Sequence, residues 1–165
     1  MVTAPEREPV TAYVGLGANL GDAAHAVTAA IEAIGRLPDT VVTVRSSLYR
    51  SAPVDASGSD YINAVVEVRT SLAAPRLLSE LQAIELAAGR ERPYRNAPRT
   101  LDLDLLLYGA GLIDSPLLTL PHPRMAQRAF VLLPLAEIAP QRVSALSLAA
   151  ITSQVIARIE PAADD

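Results

Sequence analysis

The sequence predicts a single α/β (α+β) domain with a mainly antiparallel sheet and helices packed on it. The predicted arrangement is a ferredoxin-like βαββαβ sandwich with helical additions at the C-terminus. Three observations lead to this prediction. Residues 61–70 alternate between apolar and polar side chains, as a half-buried strand does. Residues 77–88 repeat apolar side chains at helical spacing. The candidate elements follow the order strand, helix, strand, strand, helix, strand.

The elements of the first half are bounded by turn and cap residues. Residues 10–17 read as a strand, and Asp22 is the expected N-cap of a helix that stops at Gly35. A run of β-branched residues predicts a second strand over 40–49. Residues 51–60 are rich in proline, glycine and serine and are predicted to form a loop.

The second half begins with a helix that has Pro75 in its first turn and Gly89 at its end. Residues 90–98 form a polar loop. The remaining predicted elements are a strand at 100–108, a short strand around Leu112 and Ile113, and helices near 125–134 and 147–159.

Composition excludes several classes of protein. All 14 strongly basic residues are arginine, and lysine and cysteine are absent. This removes lysine-based phosphate loops, disulfides, thiolate metal sites and cysteine nucleophiles. The net charge of −4 does not favour general binding to nucleic acid or to an anionic membrane. No signal peptide or membrane span is recognised. We therefore expect a cytoplasmic protein with one domain over 1–165 and a flexible tail at 1–10.

The segment RTLDLDLLLYG at 99–109 carries a candidate metal site. Asp102 and Asp104 are two apart in an apolar strand, so both carboxylates point to one face. Their Cα atoms are then about 6.6 Å apart, and two charges about 7 Å apart repel by roughly 2.4 kcal/mol at an effective dielectric of about 20. A hard cation offsets this, since Mg²⁺ takes one or two carboxylates plus water and phosphate oxygens. A solvated strand face with two ordinary aspartates is the alternative.

Arginines gather directly before the two aspartates. Four of them stand against a single acidic residue, Glu91, in residues 90–99: Arg90, Arg92, Arg95 and Arg99. Guanidinium groups form forked hydrogen bonds with phosphate oxygens, so arginines beside a carboxylate-held metal indicate a polyphosphate ligand. Arginine–aspartate pairs that neutralise each other without any ligand are the structural alternative.

Five stretches together resemble one protein family. They are YVGLGANLGD at 13–22, YINAVV at 61–66, IELAAGR at 84–90, APRTLDLDLLLYG at 97–109 and LTLPHPRMAQRAFVLLPL at 118–135. From about residue 11 to 140 the chain resembles the 6-hydroxymethyl-7,8-dihydropterin pyrophosphokinases of folate biosynthesis. The resemblance implies a ferredoxin-like fold. It also implies transfer of the β,γ-pyrophosphoryl group of ATP to the hydroxymethyl oxygen of the reduced pterin, with release of AMP.

The resemblance also implies roles for individual residues. Asp102 and Asp104 would hold two Mg²⁺ ions that arrive with ATP, and Asp104 is a candidate acceptor for the hydroxyl proton. Arg90 and Arg99 match the catalytic arginines, which offset charge on the polyphosphate. The implied ATP-binding residues are Leu78, Gln82, Glu85, Arg92, Leu105, Leu118, Thr119, His122 and Arg128. A structural turn histidine is the alternative for His122, and His25 is assigned to surface or core packing.

A flat pterin needs apolar faces around its ring and polar partners at its edge. Asn63 can both donate to and accept from the pyrimidinone edge. Phe130, the single phenylalanine of the chain, can cover one face, and plain core packing is its alternative. The pterin-binding residues implied by the resemblance are Ser51, Ala52, Val54, Tyr61, Asn63 and Phe130.

The chain departs from the family's pattern near the arginines. The segment between Gly89 and Arg99 is one residue shorter than in common members. Asn96 stands in place of an aromatic residue, and Tyr94 is the nearby ring that could replace it. Leu117 stands where some relatives have an arginine.

We expect the loops at 51–60 and 89–98 to be mobile without ligands and to order when both substrates bind, because they are polar and flank the predicted site. We also expect a monomer that binds ATP and the pterin, and neither nucleic acid nor membranes. Two alternatives stay open. One is a ferredoxin-like nucleotide-binding module without transfer, and the other is a two-metal phosphotransferase with another acceptor.

Overall fold

A computed structural model of the protein describes residues 8–19, 22–52, 60–88 and 101–159. The strands in these ranges are β1 (Val10–Ala18), β2 (Thr40–Arg45), β3 (Tyr49–Ser51), β4 (Tyr61–Thr70), β5 (Asp102–Tyr108), β6 (Ile113–Asp114), β7 (Thr119–Leu120) and β8 (Ile156–Arg158). The helices are α1 (Ala23–Gly35), α2 (Ala74–Ala88), α3 (Ala129–Ile138) and α4 (Ala145–Ala150), with 3-10 turns at Met125–Gln127 and Pro140–Arg142.

The main sheet has the strand order β5-β1-β4-β3-β8, and β2 also pairs with β4. All of these pairings are antiparallel. β6 and β7 form a separate small hairpin. The order and direction of the strands confirm the predicted ferredoxin-like α/β fold.

One face of the sheet is covered by α1 and α2. Asp22 caps α1 as predicted, since its side chain accepts a hydrogen bond from the His25 N–H at 3.1 Å. Ile34, Leu77 and Leu81 of the two apolar stripes are fully buried against the sheet. Leu78 and Ile84 of α2 are partly buried, and Ala88 at its end is exposed. Each fully buried side chain contributes roughly 1.5–3 kcal/mol. This face is therefore the main core of the domain.

The opposite face of the sheet is covered in part by α3. This helix packs on β4 and β3, and its Leu135 is buried together with Tyr13, Val65 and Leu106 of the sheet. Residues of the first turn of α3 line a cavity on this face, together with residues at the end of β1 and at the starts of β4 and β5.

The strand predicted over 40–49 is two strands, β2 and β3, that both pair with β4. Ser46 lies between them. Its N–H donates to the Val65 carbonyl at 2.9 Å, and its hydroxyl accepts from the Val65 N–H at 3.0 Å. The side chain thus takes over a ladder hydrogen bond where the backbone leaves the strand geometry.

The helix predicted near 125–134 has different bounds. A 3-10 turn comes first, and α3 begins only at Ala129 and runs through Pro134 to Ile138. Pro134 is the sixth residue of α3, so the helix loses one hydrogen bond there and still continues.

The helix predicted over 147–159 is wrong in its second half. α4 ends at Ala150, and Ile156–Arg158 is the strand β8, paired with β3. The β-branched residues Val155 and Ile156 favour a strand, and β3 offers them an edge with unpaired backbone groups. The helical spacing of apolar residues carries no information about that edge.

Some predictions concern residues outside the described ranges, namely the tail up to residue 7, the loop at 53–59 and the segment at 89–100. Within the described ranges, no helix combines the length and apolar character needed to cross a bilayer.

Glu137 of α3 ties the helix to the segment between β2 and β3. Its carboxylate accepts hydrogen bonds from the N–H and hydroxyl of Ser47 at 3.0 Å and from the Tyr49 hydroxyl at 2.7 Å. Partial burial alone would raise the pKa of Glu137. The hydrogen bonds from Tyr49 and Ser47 outweigh burial and lower this pKa below its ordinary value of 4.5.

We expect Glu137→Gln to lower the free energy of unfolding by about 1–2 kcal/mol at pH 7, because an amide accepts hydrogen bonds more weakly than a carboxylate. Since the pKa is lower in the folded state, this stabilisation is present above the unfolded pKa and is lost as the pH falls through the folded pKa. Urea unfolding at pH 7 and at a series of lower pH values, down to the lowest at which the protein stays folded, measures the difference. Glu32→Gln, at an exposed position on α1, is the control. An equal loss in both variants, or a loss that persists at the lowest pH, would contradict this role.

Candidate active site

The larger of the two cavities that Asp104 lines is about 920 Å³ in volume and lies where β1 ends and β4 and β5 begin, on the face that α3 partly covers. β1 runs between β4 and β5, and the register places Gly17 opposite both Asn63 and Asp102. Antiparallel pairing brings the end of β1 beside the starts of the other two strands. An amide and a carboxylate therefore flank one glycine at the floor of the cavity.

Because Gly17 has no side chain, the Asn63 side chain can occupy the space beside it. A Cβ at Gly17 would lie 2.9 Å from Asn63 Nδ2, closer than real Cβ contacts come. Asn63 is buried, with 3% of its surface exposed. Its Oδ1 accepts a hydrogen bond from the Ser51 hydroxyl at 2.7 Å. This bond fixes the orientation of the amide, so Nδ2 is the atom whose hydrogens can be donated to a ligand.

Asp102 and Asp104 lie on the same face of β5, as their period-two spacing predicts, and both line the larger cavity. Leu101, Leu103 and Leu105 are buried in the main core on the other face. The Asp104 side chain is 41% exposed. The strand therefore presents two carboxylates to the cavity, and its leucines anchor it in the main core.

A smaller cavity of about 240 Å³ lies between α2, β5 and the β6–β7 hairpin, and Asp104 lines this cavity as well. Five residues predicted to bind ATP line it: Leu78, Leu105, Leu118, Thr119 and His122. Asp104 is the residue at which the two cavities meet.

His122 is attached to the edge of β5 beside Asp104. Its backbone N–H donates to the Leu106 carbonyl at 2.9 Å, and its Nε2 lies 3.8 Å from Asp104 Oδ1. Burial lowers the pKa of His122 below 6.5, and the Asp104 charge acts in the opposite direction. The His122 Nδ1 accepts a hydrogen bond from the Arg124 N–H at 3.3 Å, so a neutral imidazole at neutral pH has its Nε2–H to donate at the smaller cavity.

Phe130, Tyr61 and Arg128 form part of the wall of the larger cavity. Phe130 is half-buried against the core under α3 while it borders the cavity, so core packing and ligand contact are compatible. The Arg128 guanidinium lies over the Phe130 ring, 5.3 Å from its centroid. Ser51 and Ala52, predicted to bind the pterin, also line this cavity.

Two residues of α2 that are predicted to bind ATP line neither the larger nor the smaller cavity. Gln82 is exposed. Glu85 accepts a hydrogen bond from the Leu103 N–H at 2.9 Å, which holds the edge of β5 between the two aspartates. His25, assigned to surface or core packing, is exposed on α1. The roles predicted for Val54, Arg90, Arg92, Tyr94, Asn96 and Arg99 fall on residues outside the described ranges.

The donor set at the junction fits a hard cation. Asp102 and Asp104 provide carboxylate oxygens on one face, which is the ligand type that Mg²⁺ prefers. Across the described ranges, no group of three or more histidine, cysteine, aspartate or glutamate residues is placed to hold a metal ion. A cation held by the two aspartates would therefore take further ligands from water or from phosphate oxygens.

Sequence reasoning missed one part of the cavity wall. Gln154, Val155 and Ile156 line it from the C-terminal segment. The helix predicted over 147–159 gave no sign that these residues line the cavity, because they reach the cavity wall only through the pairing of β8 with β3.

A carboxylate pair at the junction of two cavities suits an enzyme that transfers a phosphoryl-type group between two bound substrates, whereas the ferredoxin-like sheet alone hosts many activities. Residues 13–140 match the family described as 7,8-dihydro-6-hydroxymethylpterin-pyrophosphokinase (HPPK). The chain belongs to this family, and it is a pyrophosphokinase, that is, a diphosphotransferase.

Relatives in several bacteria carry the same name, 2-amino-4-hydroxy-6-hydroxymethyldihydropteridine pyrophosphokinase. The Pseudomonas aeruginosa protein is 49% identical over 129 residues, which cover 78% of this chain and 80% of the relative. The Haemophilus influenzae protein is 45% identical over 135 residues, which cover 81% of this chain and 84% of the relative.

Solved structures agree on the fold. A Plasmodium falciparum HPPK-DHPS wild type with pterin and p-hydroxybenzoate matches with a TM-score of 0.62 at 14% identity, covering 83% of this chain. A triple mutant of that protein, with STZ-DHP, also gives 0.62 and covers 84% of this chain. This chain spans about two fifths of those chains, 41% in both cases.

Proposed function

We propose that this chain transfers the pyrophosphoryl group of ATP to 6-hydroxymethyl-7,8-dihydropterin in folate biosynthesis. The products are AMP and the pterin diphosphate, and the reaction depends on Mg²⁺. The observation that carries the proposal is the position of Asp104, which lines both cavities with Asp102 beside it. Two ligands bound in the two cavities would meet at these carboxylates.

In this proposal the larger cavity takes the pterin. Asn63 offers an amide to the polar edge of the ring, and its orientation is fixed by Ser51. Phe130 and Tyr61 add aromatic surface to the lining of this cavity, and flat heterocycles bind well against such surfaces. Family membership supports this assignment, since the relatives' names specify a hydroxymethyldihydropterin.

The smaller cavity takes the nucleotide. Its walls are about equally apolar and polar, with Leu78, Leu105 and Leu118 beside polar groups from Thr119 and His122. That composition suits a base that stacks on aliphatic side chains and forms a few directed hydrogen bonds. The triphosphate would then extend toward Asp104, where the cavity meets the larger one.

Asp102 and Asp104 would hold Mg²⁺, which supplies charge neutralisation on the phosphate oxygens when it is bound. The protein's own residues hold the pterin hydroxymethyl oxygen and the nucleotide in fixed positions, which contributes much of the rate in phosphoryl transfer. Asp104 also accepts the hydroxyl proton in this proposal. Arg90 and Arg99 offset the charge that develops on the polyphosphate. We further propose that the protein acts as a monomer.

The nucleotide product tests this function. With ATP, Mg²⁺ and the reduced pterin alcohol, we expect AMP and pterin diphosphate to appear in equal amounts, and neither to form when EDTA replaces free Mg²⁺. Chromatography of the nucleotides with a pterin-free control measures both. Formation of ADP as the sole nucleotide product would contradict pyrophosphoryl transfer. Binding of ATP without any AMP would indicate a nucleotide-binding module instead.

A further inference from the structure

The C-terminal arm, residues 151–159, lies beyond the family match, which ends at residue 140. It is nevertheless built into the larger cavity. β8 pairs with β3 so that Ile156 lies opposite Ser51, and the Ile159 N–H donates to the Leu48 carbonyl at 2.8 Å. This pairing places Gln154 and Val155 at the cavity wall.

The N-terminus of α3 depends on this arm. Arg128 is the N-cap residue, and its side chain makes no capping hydrogen bond. The first N–H groups of a helix have no partner within the helix. Here Gln154 supplies one, since its Oε1 accepts from the Ala129 N–H at 2.9 Å. Its Nε2 donates to the Gln127 carbonyl at 2.8 Å.

These two hydrogen bonds lie on either side of Arg128. They therefore hold the backbone from Gln127 to Ala129 at two points, as a neighbouring strand would. Phe130 follows at the second position of α3, and the Arg128 guanidinium lies over its ring. Both side chains border the larger cavity, so a shift of the first turn of α3 would move both of them.

We propose that Gln154 is a positioning residue: it caps α3 from the C-terminal arm and thereby sets Arg128 and Phe130 at the wall that receives the pterin. This inference rests on the proposed function, because the pterin is the ligand assigned to that cavity. Gln154 acts through the two residues that it positions. The arm therefore belongs to the substrate site although it lies outside the family match.

The test compares Gln154→Leu with Gln141→Leu in the full chain. Leucine keeps the approximate size of glutamine and removes both hydrogen bonds. Gln141 is exposed and lines neither cavity. Calorimetry measures the Kd of 6-hydroxymethyl-7,8-dihydropterin in the presence of a non-hydrolysable ATP analogue and Mg²⁺, and the Kd of that analogue alone. Hydrogen exchange measures protection of the Ala129 amide.

For Gln154→Leu we expect the pterin Kd to rise about three- to tenfold, the nucleotide Kd to change less than about twofold, and the Ala129 amide to exchange about fivefold or more faster, in line with the loss of one or two hydrogen bonds. Gln141→Leu should match the wild type in all three. An unchanged pterin Kd overturns the positioning role. So does an equal rise in both Kd values with a lowered Tm, because that pattern indicates general destabilisation.

The same measurements separate this inference from the proposed function. A wild-type protein that binds the pterin but forms no AMP would refute pyrophosphoryl transfer and leave the Gln154 comparison valid. A wild-type protein that does not bind the pterin would overturn both.

Discussion

Asp104→Asn is expected to reduce turnover at saturating ATP and pterin by about a thousandfold or more, and Asp102→Asn by a comparable factor. Asparagine keeps the size of the side chain and removes the negative charge that would hold a divalent cation. Loss of one electrostatic contact to a transition state typically lowers turnover by about 10²–10³. A shared metal site should lose more, because both cavities meet at Asp104.

The fold should survive these substitutions. The Asp104 side chain is 41% exposed, Asp102 also borders the cavity, and the main core of β5 is formed by its leucines. Asp114→Asn, an exposed carboxylate in β6, controls for the change in net charge. AMP formation gives the turnover, and thermal unfolding verifies the fold. Turnover by Asp104→Asn above about a tenth of the wild-type rate, or an equal loss in Asp114→Asn, would count against the site.

Asn63→Leu is expected to weaken pterin binding by about a hundredfold while ATP binding changes little. Leucine is similar in size but offers neither of the two Nδ2 hydrogens to the pterin edge. The Ser51 hydroxyl also loses its acceptor, which lowers the stability of the free and the bound protein alike. A buried polar group left without a partner costs roughly 1–3 kcal/mol, and one tenfold step in Kd corresponds to about 1.4 kcal/mol. Two such losses on one ligand give the expected factor.

Gly17→Ala, on the neighbouring strand β1, tests the role of the Asn63 amide in a second way. Its added Cβ would stand 2.9 Å from Asn63 Nδ2, whereas a Cβ at Gly15 would meet the Leu106 side chain at an ordinary 3.4 Å. Calorimetry should therefore show weaker pterin binding for Gly17→Ala than for Gly15→Ala. If Asn63→Leu weakens ATP and pterin binding equally, or if the two glycine variants behave alike, Asn63 does not recognise the pterin edge.

The strands and helices that the sequence predicts well are those whose burial pattern is local. In β4, Ile62, Ala64, Val66 and Val68 all enter the main core, so the alternation along the chain shows which side each residue takes. α1 and α2 carry apolar stripes at helical spacing, and Asp22 signals the start of α1.

The C-terminal strand could not be predicted in the same way. β8 is three residues long and exists because β3 offers an edge for pairing. Whether a short apolar segment forms a strand or a helix depends on what lies beside it in the folded protein. The spacing of apolar residues within 147–159 therefore predicted a helix where β8 forms.

The candidate site likewise has one part that the sequence predicts and another part that depends on the folded structure. Two aspartates at a spacing of two residues share a strand face wherever the strand goes, so Asp102 and Asp104 could be paired from sequence alone. The meeting of Gly17 with Asn63 depends on the register of β1 and β4. The cap that Gln154 gives to α3 joins residues that are 25 apart in the chain, and nothing in their local sequence indicates it.

A crystal structure with Mn²⁺, a non-hydrolysable ATP analogue and the pterin alcohol would test the central claim most directly. Anomalous scattering should locate metal within about 2.3 Å of carboxylate oxygens of both Asp102 and Asp104, with the phosphates on one side and the pterin hydroxymethyl group on the other. Metal bound elsewhere, or aspartates paired with arginines while both substrates occupy the site, would contradict the account.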